Sequence, residues 1–136
     1  MTLPYQGTPP TRAHHDDAGL DLAAAETLVI PSGQRRTVRL GTAVAIPTGH
    51  VGLLAPRSGL AAKHGITTLT APGIIDAGYR GELKIVLYNT DPAPYQVQRG
   101  DRIAQLVIVP FTHLAPVAQA LDTTGRGPKG FGSTGT

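Results

Sequence analysis

The sequence contains no cysteine and no tryptophan, and only four tyrosines and two phenylalanines among its 136 residues. Without cysteine the chain forms neither disulfides nor thiolate metal sites, so a metal would have to bind through oxygen or imidazole. Its basic residues are scattered, with no run longer than Arg35-Arg36. Because a nucleic-acid surface needs aromatic stacking platforms and a continuous positive stripe, we expect no nucleic-acid partner.

Long apolar segments are also missing. No run approaches the roughly 18 residues of a membrane span, and residues 1–12 lack the apolar core of a signal peptide. We therefore expect a cytoplasmic protein without a membrane partner. The formal net charge of +3 favours an anionic partner but does not choose between a polymer and a small phosphate ester.

Glycine and proline are abundant instead. Seventeen glycines and 12 prolines exceed the average shares of about 7% and 5%, and turn signals such as Pro31-Ser32-Gly33 and Pro47-Thr48-Gly49 separate short apolar segments. This pattern predicts one all-β domain, an antiparallel sandwich or barrel. The predicted strands include residues 20–24, 27–30, 36–40, 42–46, 51–55, 66–69 and 83–88, and a further strand is predicted within residues 99–110.

One short helix is predicted around residues 58–65. Ser58 is a candidate N-cap, and Gly65 can supply the left-handed residue that ends the helix. Arg57 and Ser58 flank the helix start, where unpaired N–H groups favour a phosphate. A capped surface helix with an exposed arginine is the alternative interpretation.

The most informative stretch spans residues 70–89, a glycine-rich turn followed by an alternating strand. Asp76 and Tyr79 lie between the two halves, on a loop that can present a base and a flat ring to one ligand. The alternative is a structural aspartate that accepts a backbone hydrogen bond in the turn. A metal site at His14-His15-Asp16-Asp17 is less favoured, because adjacent strand residues point to opposite faces.

Two further features suit either a structural or a ligand-binding role. Gln105 interrupts an apolar strand, so its amide must be satisfied by a backbone group or by a ligand. The glycine-rich tail, residues 123–136, carries Arg126, Phe131, Ser133 and Thr134. These side chains suit closure over a nucleotide, although the tail by itself also fits a flexible, solubilising segment.

Five segments, in order along the chain, resemble the five motifs of the trimeric dUTP diphosphatases (dUTPases): residues 17–22, 56–61, 73–82, 99–110 and 126–135. The resemblance implies a jelly-roll-like β fold and a homotrimer whose active sites are shared between subunits. Residues 1–122 would form the β domain, and residues 123–136 a flexible tail that closes over the site.

The implied activity is hydrolysis of dUTP to dUMP and pyrophosphate, which limits uracil incorporation into DNA and supplies dUMP for dTMP synthesis. Asp76 would activate the water that attacks the α-phosphorus, and Asp21 would help to hold Mg²⁺ on the triphosphate through water. The implied substrate-binding residues are Arg57, Ser58, Gly59, Thr70, Gly73, Ile75, Tyr79, Lys84, Gln105, Arg126, Phe131, Gly132, Ser133 and Thr134.

The sequence departs from the family pattern at Thr70, where many relatives have Asn. A hydroxyl donates and accepts through a single atom, so we expect uracil recognition to rest more on backbone groups of the hairpin. Arg80 and Glu82 are predicted to form an ion pair that holds this hairpin. Two alternatives stay open: a dCTP deaminase of the same fold, whose acid-plus-Arg-Ser-Ser arrangement is not found here, and a non-catalytic binding protein.

Overall fold

The computed structural model describes residues 1–132 and 135, and within that part of the chain it contains eleven strands and one helix. The strands are β1 (Tyr5–Gly7), β2 (Leu20–Ala23), β3 (Leu28–Ile30), β4 (Arg35–Arg39), β5 (Thr42–Val44), β6 (His50–Ala55), β7 (Ile66–Thr68), β8 (Gly73–Ile75), β9 (Lys84–Asn89), β10 (Tyr95–Val97) and β11 (Arg102–Pro110); the helix is α1 (Ser58–His64).

Two sheets form the body of the fold. One has the order β2-β11-β6-β8 and the other the order β4-β9-β7, while β1 pairs with β5 and β10 with β3 in separate two-stranded sheets. Every pairing is antiparallel. The predicted all-β sandwich of jelly-roll type with one short helix is therefore confirmed.

The core lies between the two main sheets and follows the period-2 alternation of the sequence. Ile85 and Leu87 of β9 are buried, as are Leu22 of β2 and Leu106 of β11 on the facing sheet, and all belong to one apolar cluster. Burying such a side chain contributes about 1.5–3 kcal/mol. This packing provides a rigid support for the loops at the sheet edges.

Three short strands escaped the sequence analysis. No strand is predicted in residues 1–11, but Tyr5–Gly7 pairs with β5. Strand β8 pairs with β6 inside the segment expected to be turns, and β10 pairs with β3. Each has only three residues and directly follows a proline, and proline is typical of turns and loops.

The predicted helix is confirmed, but its start lies one residue earlier than expected. Arg57 occupies the N-cap, with extended φ and ψ of −100° and 132° and no side-chain capping bond, so the prediction of Ser58 as N-cap is wrong. The reason is that the Arg57 carbonyl accepts the first helical bond, from the Ala61 amide at 3.1 Å. Gly65 ends the helix at φ 64°, as predicted.

The chain leaves the sandwich after Pro110. Residues 111–132 contain neither helix nor strand and are exposed throughout. Among the described residues, the Phe111 amide makes the last hydrogen bond to the body, to the Gly49 carbonyl. Beyond it, the Arg126 Nε and the Gly127 amide donate only to Lys129 and Thr124 within the segment. No helix in the described part of the chain has the length and apolar character needed to cross a membrane.

Candidate active site

A cavity of about 670 Å³ opens between α1 and the edge of the sheet that carries β2 and β11. We call it the α1 cavity. Its lining comprises Ala13, Asp17, Ala18, Gly19, Asp21, Arg57, Ser58, Gly59, Leu60, Lys63, His64 and Gln105. Five of the predicted site residues therefore lie around one opening: Asp21 of β2, Gln105 of β11, and Arg57, Ser58 and Gly59 at the start of α1.

Asp21 and Arg57 form an ion pair within this cavity. The Arg57 Nε lies 3.2 Å from Asp21 Oδ1, and Arg102 Nη1 lies 3.5 Å from Asp21 Oδ2, while the Asp21 side chain is only 14% exposed. Arg57 Nη1 also donates to the Arg102 carbonyl at 3.1 Å. Since a guanidinium has five N–H donors, these contacts fix the Arg57 head group and leave other donors for an anion.

Gln105 is satisfied by the protein backbone. Its Nε2 donates to the Pro56 carbonyl at 2.9 Å, and its Oε1 lies against Gly19, where a Cβ would overlap with it. The backbone alternative for Gln105 is therefore the one that the structure shows. The same bond ties β11 to the segment that leads into α1, next to Arg57.

Lys63 and His64, which are not among the predicted site residues, also line the α1 cavity. Helical periodicity could have identified Lys63 from the sequence. Lys63 is four positions after Gly59, and residues four apart share one face of a helix. The neighbouring His14-His15-Asp16-Asp17 segment does not form a metal cluster; no group of three or more potential ligands meets within the described residues.

Asp76 directly follows β8, on the loop from β8 to β9, outside the α1 cavity. These two strands lie in different sheets and do not pair, so the expected hairpin is a loop between sheets; the name hairpin is kept for this segment, residues 70–84. It is exposed, and the Tyr79 amide donates to its main-chain carbonyl at 3.0 Å to close the turn. Within the described part of the chain, the Asp76 carboxylate takes part in no hydrogen bond or ion pair. The structural alternative, a side chain that caps its own turn, is therefore not supported.

The Tyr79 ring lies close to Asp76 and is held at its edge. Its hydroxyl donates to the Glu82 carbonyl at 3.0 Å, while the side chain remains 46% exposed. The ring lies over Gly81, where any Cβ would overlap with the phenol. Gly81 therefore permits the phenol to pack against the backbone at this position, while nearly half of Tyr79 stays exposed.

Glu82 pairs with Arg39 of β4, and the predicted Arg80–Glu82 pair is wrong. Arg39 Nε lies 3.1 Å from Glu82 Oε2, and the Gly41 amide donates to Glu82 Oε1 at 3.0 Å. The hydrogen bond from Arg39 lowers the pKa of Glu82, and that same bond raises the pKa of Arg39. Arg80 turns the other way and donates to the Ala77 and Tyr79 carbonyls, because Glu82 already faces β4.

A second, smaller cavity of about 220 Å³ lies along this hairpin, and we call it the hairpin cavity. It is lined by Ile74, Ile75, Asp76, Tyr79, Glu82, Leu83 and Lys84. Thr70 and Gly73 lie at the base of the hairpin. A Cβ built on Gly73 would lie 3.5 Å from Thr70 Oγ1 and 3.3 Å from Leu54 Cβ, so the backbone there packs closely.

The predicted site residues thus fall into separate groups within one chain. Asp21, Arg57, Ser58, Gly59 and Gln105 meet in the α1 cavity, Ile75, Asp76, Tyr79 and Lys84 meet in the hairpin cavity, and the two linings share no residue. Arg126, Phe131 and Gly132 are exposed on the segment beyond β11. Ser133 and Thr134 lie outside the described residues.

Comparison with known proteins extends this picture over nearly the whole chain. The family model described as dUTPase matches residues 6–135. A deoxyuridine 5'-triphosphate nucleotidohydrolase of Thermobifida fusca (strain YX) is 55% identical over 128 residues, covering 93% of this chain and 72% of that protein. One from Mycobacterium marinum (strain ATCC BAA-535 / M) is 55% identical over 133 residues, covering 93% and 86%.

Solved structures agree with these relatives. A mutant dUTPase of Staphylococcus bacteriophage 80alpha, determined with dUpNHpp, superimposes with a TM-score of 0.88 at 33% identity over 99% of both chains. A mutant dUTPase of phage phi11 of S. aureus, described with a coordinated structural Mg(II) ion, superimposes with a TM-score of 0.78 at 32% identity, over 90% of this chain and 98% of that one.

Proposed function

The chain belongs to the dUTPase family, and from this membership we propose that it hydrolyses dUTP to dUMP and pyrophosphate at a site built from the α1 cavity, the hairpin and the tail. The observation that supports this best is the exposed Asp76 carboxylate, which forms no hydrogen bond or ion pair within the described residues. A carboxylate without a structural partner is available to accept a proton. In the cell, the reaction would limit uracil incorporation into DNA and supply dUMP for dTMP synthesis.

Asp76 acts as the general base in this proposal. It takes a proton from a water molecule, and the water oxygen attacks the α-phosphorus of dUTP. The bond from the α-phosphorus to the bridging oxygen then breaks, and pyrophosphate leaves with the electron pair. Because Asp76 sits on a hairpin anchored by β8 and β9, it can hold the water at a fixed angle to the phosphorus.

The α1 cavity binds the triphosphate. Arg57, Ser58, Gly59 and Gln105 all line it, and Arg57 is fixed by Asp21 with donors to spare. Charge-assisted hydrogen bonds from such groups offset the negative charge that grows on the phosphate oxygens. Asp21 orients Arg57 before the substrate binds, in addition to its proposed role toward Mg²⁺.

The same residues fit Mg²⁺ held mainly by the substrate. Both Asp21 oxygens already lie near an arginine, at 3.2 and 3.5 Å, so Asp21 would reach the ion through water rather than directly. Mg²⁺ keeps several waters and binds through few carboxylates plus substrate phosphates, which matches this donor set. When bound, the ion neutralises phosphate charge.

The hairpin recognises the nucleoside. The exposed part of the Tyr79 ring packs on the deoxyribose and leaves no room for a 2′-hydroxyl. Backbone groups around Gly73 and Ile75 meet the uracil edge, together with Thr70 and Lys84. These residues lie along one short stretch that β8 and β9 hold in place.

A complete site requires a homotrimer in this proposal. The two cavities share no residue within one chain, and residues 111–132 extend away from the body. Three chains around one axis would bring an α1 cavity, a hairpin and a tail together. The tail then supplies Arg126, Ser133 and Thr134 to phosphate, with Phe131 and Gly132 closing over the base.

The test is a coupled pyrophosphate assay on dUTP, dCTP, dTTP and UTP with the wild type and Asp76→Asn. We expect release from dUTP by the wild type and a loss of roughly a hundred- to ten-thousand-fold in turnover for Asp76→Asn, with dUTP binding largely kept. Asp16→Asn, an exposed aspartate outside both cavities, is the matched control and should stay active. Turnover near wild type in Asp76→Asn would refute the assignment.

A further inference from the structure

Thr68 and Thr70 lie on either side of Leu69 with their hydroxyls in contact. Thr68 Oγ1 and Thr70 Oγ1 are 3.4 Å apart, and Thr68 Oγ1 also lies 2.9 Å from the Val86 carbonyl of β9. Thr68 is 4% exposed, whereas Thr70 is exposed at the base of the hairpin. A buried hydroxyl therefore stands directly behind an exposed one.

The chemistry of these groups fixes the direction of each hydrogen bond. A carbonyl only accepts, so the single Thr68 hydroxyl proton is committed to Val86. In the contact between the two hydroxyls, Thr68 must then accept and Thr70 must donate. The Thr70 proton consequently points inward, and only the oxygen lone pairs of Thr70 are left to face a ligand.

We propose that Thr68 is a positioning residue that fixes the Thr70 hydroxyl as a hydrogen-bond acceptor, so that the site prefers a base with an N3–H over one with a bare N3. This inference rests on the proposed function, which puts Thr70 at the base. Uracil carries a proton on N3 and can donate to Thr70. Cytosine has only a lone pair on N3, which would oppose the lone pairs of Thr70.

The proposed role of Thr68 can be tested without disrupting the fold. The Val86 carbonyl also accepts the Leu69 amide at 3.1 Å, so removal of the Thr68 hydroxyl leaves no buried carbonyl unpaired. Valine has nearly the shape of threonine and keeps the contacts of the buried methyl. In Thr68→Val, the Thr70 hydroxyl is free to rotate and can donate to a cytosine N3.

The experiment compares kcat/KM for dUTP, dCTP and dTTP in the wild type and in Thr68→Val. The dCTP to dUTP ratio should rise about five- to tenfold, the scale of one hydrogen bond. The dTTP to dUTP ratio should not change, because thymine also carries an N3–H. A general loosening of the site would raise both ratios, so that result, or an unchanged dCTP to dUTP ratio in folded Thr68→Val, overturns the proposal.

Three variants act as controls. Thr68→Ser keeps the buried hydroxyl and should keep the wild-type ratios, while Thr67→Val, on the opposite face of β7, should change neither ratio. Thr70→Val removes the acceptor at an exposed position, where folding is not at risk, and should raise the dCTP to dUTP ratio. The double variant with Thr68→Val should raise it no further, because both changes act on one contact.

Calorimetric binding of dUDP and dCDP separates this inference from the proposed function. Binding does not require turnover, so the dCDP to dUDP affinity ratio tests the effect of Thr68 on Thr70 even in a protein that releases no pyrophosphate. If the wild type releases pyrophosphate but Thr68→Val leaves the dCDP to dUDP affinity ratio unchanged, the proposed activity is supported and the proposed role of Thr68 is refuted.

Discussion

Chains that carry Asp76→Asn and chains that lack residues 123–136 should regain activity when they are combined, although each is inactive alone. The first variant keeps its tail and loses the base, and the second keeps the hairpin and loses the tail. Deletion should leave the sandwich intact, because residues 123–132 are exposed and their described hydrogen bonds stay within the segment. The two defects are then complementary only if one site draws on different chains.

The expected recovery follows from the threefold symmetry of the proposed trimer. A site works only where an intact hairpin from a truncated chain meets an intact tail from an Asp76→Asn chain. Each mixed trimer, of either composition, contains about one such site in three, and random association at equal amounts makes about a quarter of all sites active. If the hairpin and tail of a site came from the same chain, the expected recovery would be zero.

The assay is pyrophosphate release from dUTP by mixed oligomers, purified through two different tags and checked for a trimeric mass by light scattering. Turnover per trimer should be about a third of the wild-type value. The two variants purified separately and assayed together, before subunits exchange, supply the control. Verified mixed trimers with no more activity than the separate variants would refute the shared site.

Two other predictions concern the hairpin. Tyr79→Ala should raise the UTP to dUTP ratio of kcat/KM, because it removes the ring proposed to exclude a 2′-hydroxyl. Tyr79→Phe loses only the hydrogen bond to the Glu82 carbonyl and should keep the wild-type ratio. Equal ratios in the wild type and both variants would show that the ring is structural. Since the pKa of Glu82 lies below its ordinary value of 4.5 in the folded state, its carboxylate stabilises the fold above that pH and loses this effect as the pH falls through the folded pKa. The wild type should therefore melt at a higher temperature than Glu82→Gln at pH 7, and this difference should shrink below about pH 4.5. A difference that does not change with pH would count against the ion pair.

Local patterns in the sequence predicted the long strands well. The alternation from Leu83 to Tyr88 identified β9 and the face of it that is buried, because a strand with one side in a core must alternate. Gly65 marked the helix end for an equally local reason, its left-handed backbone. The family resemblance named the site residues, since the motifs are contiguous in sequence.

Pairings between distant residues escaped that reasoning. Glu82 was expected to bind Arg80 two positions away, but it binds Arg39, since β4 and β9 are neighbours in the sheet. Likewise, Lys63 lines the α1 cavity because the helix packs against β7 and lies across the opening from β2 and β11. Such contacts depend on which strands become adjacent, and composition and periodicity do not encode that directly.

The sequence by itself determined the all-β class, the short helix and the family, because turn chemistry, alternation and motif order are local properties of the chain. Only the tertiary structure decided where each charged and polar group finds its partner: Asp21 with Arg57, Glu82 with Arg39, and Thr68 with Val86. It also separated the α1 cavity from the hairpin cavity within one chain. The physical reason is that a hydrogen bond or ion pair requires atoms within a few ångströms, and only the folded sheets bring these distant segments so close.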